Sequence, residues 1–213
     1  MNMIDLSHTI CEDMPVFPGS AQPQLSPVRT ICRDGYRETQ LCLYGHTGTH
    51  MDAPAHILPD GGCLDTMPIH HFFGRGFVLD CRDLPAGSEI SLKRLLAAGA
   101  PAVQADFLLF CTGWDQYWGT AECYGPYPVV SEELCRWAAG HKKALGVDTM
   151  GIDPIDSTEL PRHRILLSRQ TLIVENLCHL DRLIGRRFQF SALPLKYKNA
   201  DGAPVRAAAI IID

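Results

Sequence analysis

Eleven consecutive residues, His46-Thr47-Gly48-Thr49-His50-Met51-Asp52-Ala53-Pro54-Ala55-His56, bring three imidazoles and a carboxylate into one stretch. Neutral imidazole and carboxylate are the donors that borderline divalent cations such as zinc prefer, and water activated by such a cation needs a base within reach to take its proton. The run supplies ligands and a spare base together, so it reads as a metal site, a catalytic site, or both.

Counting in twos from His46 reaches Gly48, His50, Asp52, Pro54 and His56, so an extended chain sends the polar groups to one side. A straight strand overshoots, because at about 3.3 Å per residue it leaves the Cα atoms of His46 and His50 about 13 Å apart. Gly45 and Gly48 can supply the bend that one shared ion requires. A helix would also place His46 and His50 one turn apart, but Thr47, Gly48 and Thr49 are poor helix formers and Pro54 stops any continuation. The run is therefore expected to be a strand end entering a bent loop.

Other residues invite chemistry less strongly. Glu175 closes the apolar run Thr171-Leu172-Ile173-Val174. It is either a buried carboxylate that needs a cation or donors, or a strand-end residue facing water. His163, between Arg162 and Arg164, reads as a surface histidine or as a ligand. Cys111 ends Asp106-Phe107-Leu108-Leu109-Phe110 and reads as a nucleophile or as a small buried filler. Phe17, Trp114, Tyr117 and Trp118 are candidate walls for an aromatic ring, with core or interface packing as the alternative.

The elements that must hold these groups are mostly strands. Val28 to Cys32 and Arg37 to Tyr44, separated by Asp34-Gly35, read as a hairpin feeding the histidine run. Short apolar runs follow at 76–81, 107–111, 144–148, 171–175, 188–193 and 205–212. Ser91 can cap a helix over 92–98 with Gly99 beyond. Ser131 can cap a helix over 132–139, with glutamates at its positive end and Gly140 at its stop. A third helix is expected within 160–170. Interspersed strands and helices give a mixed α/β class.

Composition narrows the function classes. With 213 residues and no linker or composition break, residues 1–213 are expected to form a single domain, and 46% hydrophobic against 20% charged residues suits a globular core. A net charge of -5 without a basic stripe argues against nucleic acid, and Lys142-Lys143 and Arg186-Arg187 are isolated pairs. No apolar run approaches the roughly 20 residues of a membrane span, and no signal segment is evident, so a soluble cytoplasmic protein without a membrane partner is expected. The nine cysteines are odd in number and form no Cys-x-x-Cys pair, as buried thiols in a reducing compartment would.

The histidine run resembles the HxGTHxDxPxH signature of the cyclase family of metal-dependent hydrolases, which includes bacterial kynurenine formamidases (arylformamidases) and isatin hydrolases. The resemblance extends through Ile4-Asp5-Leu6-Ser7-His8, Met14-Pro15-Val16-Phe17-Pro18-Gly19, Thr112-Gly113-Trp114, Gly151-Ile152-Asp153, His163 with Glu175, Ala192-Leu193-Pro194-Leu195-Lys196 and Pro204-Val205-Arg206-Ala207, essentially the whole chain. It implies the swivelling β/β/α fold of that family. It also implies that His46, His50 and Asp52 bind one metal, that Asp52 and Glu175 bridge to a second held by His163, and that His56 is the catalytic acid/base.

The implied cofactor is one or two Zn²⁺ ions, with Mn²⁺ or another divalent metal as the alternative. The implied reaction is arylformamidase-like hydrolysis of N-formylkynurenine to kynurenine and formate, in a dimer or larger homo-oligomer acting on a small molecule. Phe17 stands where the formamidases usually carry tryptophan, Arg164 where a second histidine often follows, and Asn176 where many have glycine. These departures fall on substrate handling rather than on the ligands, which keeps an isatin-type lactam hydrolase as the nearest alternative. A non-catalytic metal protein and a Cys111-based hydrolase are the readings from other classes. Structural zinc sites favour closed, cysteine-rich sets, so His56 as a spare base weighs toward an enzyme.

Overall fold

The computed structural model describes residues 2–212. The chain opens with β1 (Met3–Asp5), then β2 (Gln24–Arg29), the single helical turn α1 (Ile31–Asp34), β3 (Glu38–Cys42) and β4 (His50–Asp52). Next come β5 (Phe73–Asp80), β6 (Glu89–Ile90), α2 (Leu92–Ala97), α3 (Ala100–Gln104) and β7 (Phe107–Cys111). The last part holds β8 (Val129–Val130), α4 (Glu132–Gly140), β9 (Ala144–Val147), α5 (Pro161–Leu167), β10 (Ile173–Glu175), β11 (Phe188–Pro194) and β12 (Gly202–Ile211).

The main sheet runs β1-β12-β11-β5-β7-β9-β10-β4, and β4 pairs back onto β12, so the ladder closes into a barrel-like ring. The long strand β12 makes the closure possible. One of its edges takes β4 at residues 202–204 and β1 at residues 208–210, while β11 covers the other. Strands β5, β7, β9 and β10 are parallel neighbours, and the helices lie in the connections between them, as parallel crossovers require.

Alternation along the strands makes two cores. Phe107, Leu109 and Cys111 of β7 join Met51, Val174, Phe188, Phe190, Val205 and Ala207 on one face, while Leu108 and Phe110 join Leu95, Leu134, Ala138, Leu145 and Leu166 beneath the helices. A parallel strand covered on both faces needs an unbroken apolar run, which Phe107-Leu108-Leu109-Phe110-Cys111 provides. Phe110 and Phe190 are fully buried. Truncating either to alanine should cost about 3–5 kcal/mol.

The helix caps are where the serines suggest. Ser91 accepts from the Arg94 amide and Ser131 from the Leu134 amide. The third helix is shorter than its window, and α3, which begins Ala100-Pro101, is additional. The hairpin is real but displaced, because the chain leaves β2 at Arg29 instead of continuing to Cys32. The Asp34 carboxylate accepts from the Thr30 amide at 2.9 Å, and Gly35 stops the turn in the left-handed region at φ 80°, which makes residues 31–34 helical.

Candidate active site

β4 and β10 are antiparallel and in register, with Glu175 opposite His50, Val174 opposite Met51 and Ile173 opposite Asp52. Alternation turns Met51 and Val174 into the interior core and leaves His50, Asp52 and Glu175 to the other face. The chain reaches β4 through a bend at Gly48, whose φ is 65°, and leaves it through the 3-10 turn Pro54–His56. The expected strand end in a bent loop is thus a three-residue strand between two bends, and the bends bring His46 and His56 back beside it.

Each imidazole is oriented by a second partner. His50 donates from Nδ1 to the Gly48 carbonyl at 2.8 Å, which turns Nε2 to Asp52 Oδ1 at 3.3 Å and Glu175 Oε2 at 3.4 Å. His163 sets Nδ1 against Asp153 Oδ2 at 2.7 Å and points Nε2 at Asp52 Oδ2 and Glu175 Oε1, 3.5 and 3.3 Å away. His46 presents Nδ1 to Asp52 Oδ1 at 2.8 Å. The ring of His56 lies 4.0 Å from that of His46 and 5.8 Å from that of His163, centroid to centroid.

His163 is buried because α5 is anchored by Asp153, which accepts from the backbone amides of Arg162 and His163. Arg162 is buried as well and reaches Asp153, Glu89 and the Val130 carbonyl. Of the Arg-His-Arg run, Arg162 and His163 are therefore buried and only Arg164 faces solvent. Glu175, also buried, takes a 2.7 Å hydrogen bond from the Ile152 amide.

These groups perturb one another strongly. Burial works against a charged His50, but the Asp52 and Glu175 hydrogen bonds outweigh it and raise the imidazole to about 10. Burial likewise opposes, and Asp153, Asp52 and Glu175 overcome, to hold His163 well above its usual range. Asp52 stays well below the usual carboxylate range, since its three histidine partners outweigh its burial. His56 moves the other way, lowered chiefly by burial.

The donor set fits divalent cations. Ligand atoms of His46, His50 and Asp52 lie within 4.8 Å of one another, as do those of Asp52, His163 and Glu175, and Asp52 is common to both groups. Asp52 Oδ2 is buried and its nearest donor is His163 Nε2 at 3.5 Å, too long for a good hydrogen bond. An anionic oxygen left that way in a dry setting calls for a cation.

The cluster lies in a cavity of about 520 Å³. Phe17 and Tyr44 are exposed at its rim, and Met150 and Leu160 supply apolar wall. Trp114, Tyr117 and Trp118 do not line it. Trp114 gives its indole N–H to the Cys123 carbonyl and packs edge-on to Tyr117 and Tyr127, while Trp118 stacks on His8 with 4.0 Å between centroids. Their rings are used up in that satellite core, which reaches the cavity through Met150 and is tied to the site by the 2.8 Å bond from the Tyr127 hydroxyl to the Asp153 carbonyl. Cys111 is buried off the cavity, and burial pushes its thiol well up, which excludes it as a nucleophile.

Asp153, Asp201 and Gly202 are site residues that carried no assigned role, and Asn176, read as a departure that falls on substrate handling, lines the cavity. Asn176 sits in the left-handed region at φ 56°, which explains why glycine also suits the position, and its side chain donates to the Gly48 carbonyl at 3.1 Å. Asp201 accepts from, or pairs with, His46 Nε2 at 3.1 Å. Asp-Gly after a lysine-rich loop reads as an ordinary turn, so the sequence carried no signal for it.

Residues 4–154 match the model of a family described as "Putative cyclase". The kynurenine formamidase of Salinibacter ruber (strain DSM 13855 / M31) is 31% identical over 214 residues, covering 97% of this chain and 96% of that protein. Isatin hydrolase A from Labrenzia aggregata bound to benzyl benzoate superposes with a TM-score of 0.88 at 24% identity, covering 100% of this chain and 94% of that one. A structure described as a potential metal-dependent hydrolase with cyclase activity has a TM-score of 0.76 at 26% identity, with 98% and 96% covered.

Proposed function

The chain belongs to the cyclase family and is a hydrolase, and from that premise we propose that it cleaves the carbon-nitrogen bond of small aromatic amides, in the manner of an arylformamidase acting on N-formylkynurenine. The observation that carries the reading is the convergence of His46, His50, His163 and Glu175 on one cavity around the buried Asp52, with His56, which also groups with His46 and Asp201, read as the spare base. Among the described residues, no hydrogen-bond partner occupies the ring nitrogens of His56.

His46, His50 and Asp52 would hold one divalent cation, and Asp52, His163 and Glu175 a second. Such cations acidify a water molecule and polarise a carbonyl. His56 does the proton work: a free ring nitrogen takes the proton of the attacking water and returns it to the departing amine nitrogen as the C–N bond breaks. That return matters, because an unprotonated amine leaves poorly. Phe17, Tyr44, Met150 and Leu160 offer the aromatic ring an apolar surround.

Zinc is the ion proposed, since histidine and carboxylate donors without cysteine suit a zinc site that keeps a position open, and manganese would fit the same donors. Nine free thiols support a reducing, cytoplasmic setting. No helix among the described residues is long and apolar enough to cross a membrane. The exposed hairpin bearing Ile31, Tyr36 and Leu41 supports association into a dimer or larger assembly. Light scattering on the purified protein reads that state directly.

Lactam ring opening of the isatin type is the second reading, favoured by the fold match to isatin hydrolase A. The deciding experiment is a screen of zinc- and manganese-reconstituted protein over aryl formamides, lactams and simple esters. Formate release from aryl formamides is the expected result. Turnover of lactams alone selects the second reading, and inertness toward every amide overturns both.

A further inference from the structure

The residues around His46 come from two separate parts of the chain, β4 and the start of β12. Its Nδ1 edge meets Asp52, and its Nε2 edge meets Asp201 Oδ2 at 3.1 Å. Its ring also lies over Gly202. A Cβ at position 202 would fall 2.3 Å from His46 Cε1 and 2.5 Å from Nε2, closer than atoms can approach. Gly202 is in turn the β12 residue opposite Asp52 of β4, so the residue that makes room for the ring is registered on the carboxylate the ring faces. The Tyr197 hydroxyl bonds to the Gly202 carbonyl and fixes this strand start.

We propose that Asp201 and Gly202 form a clamp that orients His46 as a metal ligand, with Asp201 holding the Nε2 proton so that Nδ1 is the nitrogen directed at the site shared with Asp52. The proposal rests on the ligand reading of His46 given above. A carboxylate behind a ligating imidazole fixes its tautomer and ring plane, and removing such a partner usually weakens metal binding about 10–100-fold. Asp201 is a positioning residue. It acts through His46, although its own carboxylate lies near enough to His46 and His56 to be mistaken for a ligand.

The test measures zinc affinity of metal-stripped protein by competition with a chromophoric chelator, in wild type, Asp201→Ala, Asp201→Asn, Gly202→Ala, His46→Ala and the double variant His46→Ala/Asp201→Ala. Asp201→Ala should bind zinc about 10–100-fold more weakly. Asp201→Asn should recover most of that loss, because its carbonyl oxygen still accepts from Nε2–H. Gly202→Ala should weaken binding by displacing the ring. Asp201→Ala should cost nothing further in the His46→Ala background.

Wild-type affinity in Asp201→Ala overturns the clamp. So does an equal loss in both backgrounds, which would make Asp201 a ligand in its own right or a fold determinant. Wild-type affinity in His46→Ala overturns the ligand reading beneath it, a separate failure. Should the variants not fold, nitrogen-resolved NMR of the imidazoles in zinc-loaded wild type decides: His46 protonated at Nε2 supports the clamp, and protonated at Nδ1 overturns it.

Discussion

His50 and Glu175, distant in sequence, are register partners across β4 and β10, with Nε2 and Oε2 3.4 Å apart. Strand pairing, rather than loop placement, sets that distance. A site built on a ladder is held by backbone hydrogen bonds that neither side chain has to make.

Metal content follows from this arrangement. His50→Ala removes one of the two imidazoles that touch both Asp52 and Glu175 and leaves His163 alone between the two buried carboxylates. Elemental analysis of the purified variant should show a large loss of metal relative to wild type. Unchanged content would remove His50 from the ligand set.

His56 should separate from the ligands. His56→Asn should keep its metal and lose about 10²-fold or more in turnover, the usual scale for a general acid or base. Burial lowers the His56 imidazole below 6.5, and nearby bound cations push the same way. A base must be neutral, so kcat/KM of the wild type should rise with pH through a value below 6.5 and then level. The limb should be missing from the variant, and joint loss of metal and activity would make His56 a ligand.

Metal uptake should release protons. In the metal-free protein His50 is raised to about 10 and His163 is raised well above 6.5, so both carry protons at neutral pH that a cation must displace. Binding should weaken as pH falls from 8 to 6. Calorimetry in buffers of different ionisation enthalpy should give heats that scale with the buffer. Equal heats in all buffers would contradict the protonated cluster.

Asp148 gives a stability test away from the ligands. Complete burial pushes its carboxyl up to about 7, although it accepts from the Thr112 hydroxyl and amide and the Gly113 amide, which pull it down. An acid whose folded value is raised holds its proton more tightly folded than unfolded. Its contribution is therefore complete below the ordinary value near 4 and is lost as pH rises to about 7. The stability difference between wild type and Asp148→Asn, read from urea melts, should decline across that window and level above it. A flat difference would mean the carboxyl titrates normally.

Much of this was legible along the chain, for identifiable reasons. The β7 run is apolar without interruption because both its faces are covered, and Ser91 and Ser131 announce their helices through caps that depend on a single side chain. The histidine run was readable because its residue types are costly without a purpose. The aromatic residues misled: Trp114, Tyr117 and Trp118 have the size and polarity of pocket walls, and nothing in their spacing tells that they satisfy one another beside Cys123 and His8. His163 was ambiguous because its neighbours are arginines, and only the burial of Arg162 against Asp153 distinguishes it from a surface histidine. Asp201 was silent, since its meaning comes from the pairing of Gly202 with Asp52.

The double pairing of β4 bears on how the protein is made. His50 and Asp52 acquire their neighbours only when β10 has joined one edge of their strand and β12 the other, at residues 173–175 and 202–204. A nascent chain on the ribosome holds the whole histidine run before either edge exists, so the run emerges as an exposed chelating peptide. Such distant pairings also make for slow folding. Loading of the finished site must follow the pairing of both edges, and a protein truncated before Gly202 should retain at most the weak affinity of the free run.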